Sequence, residues 1–245
     1  YKTEYQNFVN WVDVNFLVED SPDKSGLMAD YHALIYLLGP INGITYGHSM
    51  TDYRDRAIGN MLWAVANWTG IGKARDYRWD GFTIVARAYD WVWSDIVPAD
   101  RTKIVNWLAD VGLNTLKSWS SDPPWLFSSD YFEGFYPWYS GLAFYGDGIR
   151  DADAQSLVDG FNTWMLNGKW LDAQNWVARN NGGDSEYGNY MLGHPIRHII
   201  NIDAWRTATG ENYFAQGTSV ASPDFMRNHP KLVLYTIKPF GKANS

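Results

Sequence analysis

Apolar residues recur along the chain at helical spacing far more often than in alternation. From Tyr5, the positions Phe8, Val9, Val12 and Phe16 mark one face of an amphipathic helix, and Ala57, Ile58, Met61, Leu62 and Val65 mark another. Phe82 to Ile96 reads as a largely buried helix. Pro98 and Asp100 then supply a fixed φ and a first-turn acid for the next helix, whose apolar set is Ile104, Val105, Leu108, Val111 and Leu116. Further helices are predicted over roughly Tyr131 to Phe144, Ala152 to Val177, Pro195 to Thr209 and Asp224 to Ile237, with clusters of Gly, Pro, Asn and Asp between them. Leu232 to Ile237 is the best candidate for a strand and fits a buried helix equally well. The expected class is all-α, with about eight to ten helices joined by short loops. Helices paired in this way form a bundle, a solenoid or a toroid of helical hairpins, and the lack of a fixed-period repeat disfavours the solenoid.

Composition narrows the function classes. The 245 residues include 14 Trp, 16 Tyr and 11 Phe with 19% charged residues, which is ample apolar material for a folded chain. No Pro/Ser-rich linker or charge block interrupts the sequence, so a single domain over 1–245 is expected. The absence of cysteine removes disulfides, thiolate zinc sites and cysteine nucleophiles together. A net charge of −7 with scattered basic residues argues against a nucleic-acid partner. The longest charge-free stretch, Tyr31 to Thr51, is broken by Gly39-Pro40 and Asn42-Gly43, so no membrane span is expected. The start at Tyr1, without Met or an apolar leader, leads us to expect a processed or excised chain. Most of the rings belong in the core, and a carbohydrate cleft accounts for a surplus, because Trp and Tyr combine a flat apolar face with a polar handle.

Three segments carry candidate chemistry. In Ala86 to Asp95, followed by Pro98-Ala99-Asp100-Arg101, Asp90 sits between two aromatics and reads as a structural carboxylate satisfied by a hydroxyl or an indole N–H. Asn180 to His194 packs Asp184, Ser185, Glu186 and Tyr190 among Gly182, Gly183, Gly188 and Gly193. Those glycines allow close backbone approach to a ligand, and a plain capped turn is the alternative. Glu186 and Tyr190 share a face if this segment is helical, and Pro195 interrupts the continuation of that face to His194. Asp130 to Ala143 concentrates Tyr136, Trp138 and Tyr139 around Pro137 and two glycines, reading equally as a cleft wall or as core. Lys73, Arg75 and Arg78, interleaved with Tyr77 and Trp79, form a basic and aromatic stretch suited to acidic groups on a sugar or to a solvated loop.

In this order the three segments resemble the helical domain of the heparinase II/III-like polysaccharide lyases. Tyr89-Asp90-Trp91 with Asp100-Arg101 is similar to that family's Ala-Tyr-Asp-Trp stretch and the acid-Arg helix start after it. Asn181-Gly182-Gly183-Asp184-Ser185-Glu186-Tyr187-Gly188-Asn189-Tyr190 resembles its Asp-Gly-Gly-x-x-Glu-Gly-x-x-Tyr pattern, with Asn181 where Asp is usual and Tyr187 where Gly is usual. Ala208 to Phe214 is similar to its Ala-x-Thr-Gly-acidic-x-Phe helix end. The resemblance runs from about Asp52 to Gly241. It implies an incomplete (α/α) toroid and β-elimination on a uronic-acid polysaccharide by a secreted or periplasmic lyase, without metal or cofactor. It also implies Tyr190 as proton-transfer residue, with Asn181, Glu186 and His194 around it. Tyr136, Trp138, Tyr139, Arg78, Trp79, Arg179 and Arg197 are the expected substrate contacts. The family's carboxylate-neutralising Asn or His has no counterpart in Tyr136 to Tyr139, and its C-terminal β-sandwich domain would begin near Lys238 to Gly241, where this chain stops.

The elimination demands donors beside the substrate carboxylate and a cation near Tyr190, whose unperturbed pKa is about 10. Two other readings stay open. An (α/α)-barrel glycoside hydrolase would use two carboxylates from Asp90, Asp130, Glu133, Asp184 and Glu186. A non-catalytic polysaccharide-binding domain would use the aromatic surplus alone.

Overall fold

A computed structural model describes residues 1–17, 19, 21–68, 81–121, 135–163, 203–212, 237–238 and 242–243. The chain divides into two compact units. One comprises Tyr1–Ser121 with Tyr136–Gly160, the other Asp122–Phe135 with Phe161–Ser245. The described elements are α1 (Lys2–Val14), α2 (Pro22–Leu38), α3 (Met50–Asn67), α4 (Gly81–Val92), α5 (Pro98–Ser121), α6 (Phe135–Ala143), α7 (Asp151–Phe161) and a helical stretch α8 at 203–209. A two-residue antiparallel ladder, β1 (Ile237–Lys238) with β2 (Lys242–Ala243), completes them. The class is all-α among the described residues. Ile237, expected at the end of a helix, instead sits in this ladder, while 224–236 and 164–177 lie outside the described residues.

The helix boundaries follow local chemistry. Pro22 opens α2 behind Ser21, whose hydroxyl accepts the Lys24 N–H at 3.3 Å, and Gly39 closes it at φ 65°. Ser49 and Asp52 form a reciprocal capping box at the start of α3. Pro98 and Asp100 begin α5 as expected. The helix expected to reach Ile96 stops at Val92, and a 3₁₀ turn over Trp93–Asp95 carries the chain round to α5. Ser25 Oγ bonds the Asn60 carbonyl at 3.0 Å, while Tyr36 and Arg54 both reach Asp95, so α2 and α3 run antiparallel.

α2 is the helix that periodicity missed, because it is covered on several sides at once. Met28, His32 and Ile35, at i, i+4 and i+7, form one buried stripe; Ala29 and Ala33 form a second; Asp30 lies on a third. The second stripe joins the main core with Ala57 and Met61 of α3, Val85 and Tyr89 of α4, Ile104 and Leu108 of α5, and Leu157 of α7. The first joins a separate cluster with Val9 and Val12 of α1 and Tyr53 of α3. That smaller cluster is roofed by the loop after α2, which Gln6 of α1 holds: its Oε1 accepts the Thr45 N–H and its Nε2 donates to the Thr45 carbonyl, both at 2.8 Å.

In the first unit, α5, α6 and α7 approach closely. A methyl at Gly141 would stand 2.7 Å from Leu157 Cβ and 2.8 Å from the Ala154 carbonyl, atoms that no side-chain rotation can move. In the second unit α8 ends at Thr209, where the sequence pattern places the end of a helix. Gly210 takes φ 81° and its N–H bonds the Arg206 carbonyl, while Glu211 reaches back to the indole N–H of buried Trp205 at 2.9 Å. Gly141→Ala is expected to cost about 1–3 kcal/mol, from overpacking at a backbone contact. Chemical denaturation checks this, and an unchanged midpoint would show that α6 and α7 can separate without penalty.

Candidate functional site

Asn181, Glu186, Tyr190 and His194 lie outside the described residues, as do Arg78, Trp79, Arg179, Arg197 and the side chain of Tyr136. Trp138 and Tyr139 are placed, on α6. Trp138, read equally as cleft wall or core and named among the expected substrate contacts, is fully buried, its ring centroid 4.9 Å from that of Tyr139, which leaves no open face for a sugar in this conformation. Tyr139 is half-buried beside it.

The Tyr89-Asp90-Trp91 stretch closes α4 just before the 3₁₀ turn that leads to α5. Tyr89 is buried, and its hydroxyl donates to Asp147 Oδ2 at 2.5 Å. Burial, then the Asp147 bond, raise its phenol well above the usual range. Asp147 belongs to the turn between α6 and α7, which is fixed from below by Arg150 at φ 56°. Arg150 donates to Asp110 at 2.5 Å, to Asp153 at 2.6 Å and to the Asn106 carbonyl at 3.3 Å. Arg101 donates to the Ile96 and Ser94 carbonyls, and its guanidinium lies 4.2 Å from the centroid of the Trp93 ring. On the face of α4 towards α2, Arg87 grips buried Asp30 through two nitrogens at 3.1 and 2.9 Å and approaches the Trp91 ring.

One member of the stretch is left out of this scaffold. Asp90, expected to be satisfied by a neighbouring hydroxyl or indole, has no hydrogen-bond partner among the described residues. Its neighbour Tyr89 makes the structural bond instead. Asp90 reaches solvent in the last turn of α4, where the helix dipole disfavours an anion. Surrounding protein strips part of its hydration, and Asp147 adds a like charge; both raise its pKa, in that order.

A second polar group, which no motif announced, lies on the first stripe of α2. Tyr53 donates to Asp13 of α1, whose other oxygen accepts the Gly47 N–H at 2.8 Å. Burial, and then this bond, raise the Tyr53 phenol. His32 is fully buried beside Tyr53, 3.4 Å from Asn60 Nδ2 through Nδ1. Burial lowers its pKa from 6.5 to about 4. Arg56 donates to the Phe16 carbonyl and pairs with Glu19 at 2.8 Å. The partners lie 28 to 40 residues apart in sequence, so local spacing carries no trace of them.

Among the described residues no three His, Asp or Glu side chains converge as metal ligands. The described geometry supplies instead one energetically unfavourable, solvent-reaching carboxyl, Asp90, on a rigid joint. Since its folded-state pKa is raised, the ionised side chain opposes folding above the ordinary carboxylate range and is neutral in effect well below it. Asp90→Asn is therefore expected to raise Tm at pH 7 and leave it unchanged at pH 3; a lower Tm at pH 7 would instead reveal a stabilising partner. No family model, no curated protein and no solved structure matches the chain.

Proposed function

We propose that the chain is the helical part of a secreted or periplasmic polysaccharide lyase, an incomplete (α/α) toroid acting on a uronic-acid polysaccharide by β-elimination. The observation that carries this reading is the glycine-rich Asn181 to Tyr190 stretch, with its Glu186 to Tyr190 spacing. Three features support it: the successive helices α2 and α3 pack against each other, Tyr89-Asp90-Trp91 ends α4 just before the turn that Arg101 binds, and α8 ends at Thr209-Gly210.

In the reaction, a base removes the proton on the carbon next to the uronate carboxyl. The electron pair forms the C4–C5 double bond, and the C4 oxygen leaves with a proton. The carbanion-like transition state adds charge beside an existing carboxylate, so donors that neutralise that carboxylate lower the barrier most. Tyr190 is the proton-transfer group, with Asn181, Glu186 and His194 around it and Arg179 and Arg197 available to the acid groups of the substrate. Tyr136 and Tyr139, with Arg78 and Trp79, are the remaining substrate contacts. No cofactor enters this chemistry.

A glycoside hydrolase is the second reading, and the raised pKa of Asp90 favours it in direction, because a general acid needs a carboxyl that holds its proton above the ordinary carboxylate range. One assay separates the two. Incubation with alginate, glycosaminoglycan and ulvan-type polymers is expected to yield the ultraviolet absorbance of an unsaturated product. Tyr190→Phe is expected to abolish that signal while leaving polymer binding intact. Reducing ends released without the chromophore, and lost in Asp90→Asn, would transfer the assignment to hydrolysis.

A further inference from the structure

Phe16, just past the end of α1, is held between two imidazoles. His48 stacks on its ring at 3.6 Å, inclined by 18°, and the ring of His32 meets it edge-on at 4.9 Å. His32 is wholly buried. Its Nδ1 side faces the Asn60 amide and the Met28 carbonyl, whereas Nε2 has no hydrogen-bond partner among the described residues. The buried Asn60 Oδ1 is also without one. A neutral imidazole needs only one acceptor, but an imidazolium carries two N–H donors, and the one on Nε2 would be left buried without an acceptor.

The charged surroundings do not rescue the cation. Arg56 on α3 and His48 on the loop oppose it. Asp13 on α1 favours it weakly, being already engaged by the Tyr53 hydroxyl and the Gly47 N–H. Glu19 is paired with Arg56. Towards α4 the charged pair is Arg87 with Asp30, and Asp30 stands two residues from His32, on the opposite side of α2.

The element best placed to yield is α1. Its Val9 and Val12 belong to the smaller hydrophobic cluster, which shares no buried residue with the main core, so α1 can part from the body without opening α4, α5 and α7. We propose that His32 is a proton-operated catch: protonation expels Phe16 and frees α1 from α2 and α3 while the main core stays folded. The sign follows from linkage. The opened form binds a proton at the ordinary value of 6.5, the closed form only at about 4. Docking of α1 is therefore strongest above pH 6.5, and the opening equilibrium rises about tenfold for each pH unit below it until about pH 4.

Amide hydrogen exchange, corrected for its intrinsic pH dependence, tests this on the full chain. Between pH 6.5 and 4.5 the amides of Val9 and Val12 are expected to lose protection by tenfold or more while those of Leu108 and Val111 keep theirs. In His32→Gln the α1 amides are expected to show no change over that range. Equal loss in wild type and variant would assign the effect to a group other than His32 and overturn the proposal, as would simultaneous loss in α1 and α5. If the variant does not fold, the wild-type His32 ring resonance decides: titration in step with α1 opening supports the catch, and opening without it refutes the catch.

Discussion

Asp30 projects from α2 with 3% of its surface exposed, gripped by two nitrogens of Arg87. A helix covered on several faces by its neighbours satisfies most of its polar groups by reaching into them. Arg87 does so from α4, and Asn60 accepts from Ser25 through its carbonyl on α3. Breaking such a buried pair costs about 3–5 kcal/mol where both partners are enclosed, and less here, because Arg87 is 40% exposed on its side chain. The pair acts chiefly as a register mark. It sets the rotation of α2 so that Ala29 and Ala33 face the main core and Met28, His32 and Ile35 face α1.

From that register the rest follows outwards. Small alanines on the core side of α2 bring α3 and α4 close, and the C-terminal end of α2 meets the 3₁₀ turn through Tyr36 and Asp95. The same turn is locked onto α5 by Arg101, and Tyr89 ties α4 to the loop between α6 and α7. Asp90 thus stands on a joint fixed from three directions, which is the kind of support that an energetically unfavourable carboxyl needs if it is to persist.

Period was sufficient for α1, α3 and α5, each of which buries one face, and α3 and α5 also begin at a legible signal: Ser49 with Asp52, and Pro98 with Asp100. It fails for α2, since a helix with three buried stripes has no polar face to create contrast. It fails for Trp138 too, because a ring between small residues looks alike on a cleft wall and in a core. His32, Asp13 and Asp147 could not have been found by spacing, as their partners are brought by tertiary packing across 28 to 58 residues. The expected catalytic residues from Asn181 to His194 rest on sequence similarity alone.

The clasp between Gln6 and Thr45 distributes tolerance unequally. The Gln6 side-chain amide behaves like one residue of a neighbouring strand, reading only the backbone N–H and carbonyl at position 45. Any residue except proline offers both groups. The clasp therefore survives substitution of position 45 by any residue but proline, whereas at position 6 even glutamate would lose its donating half.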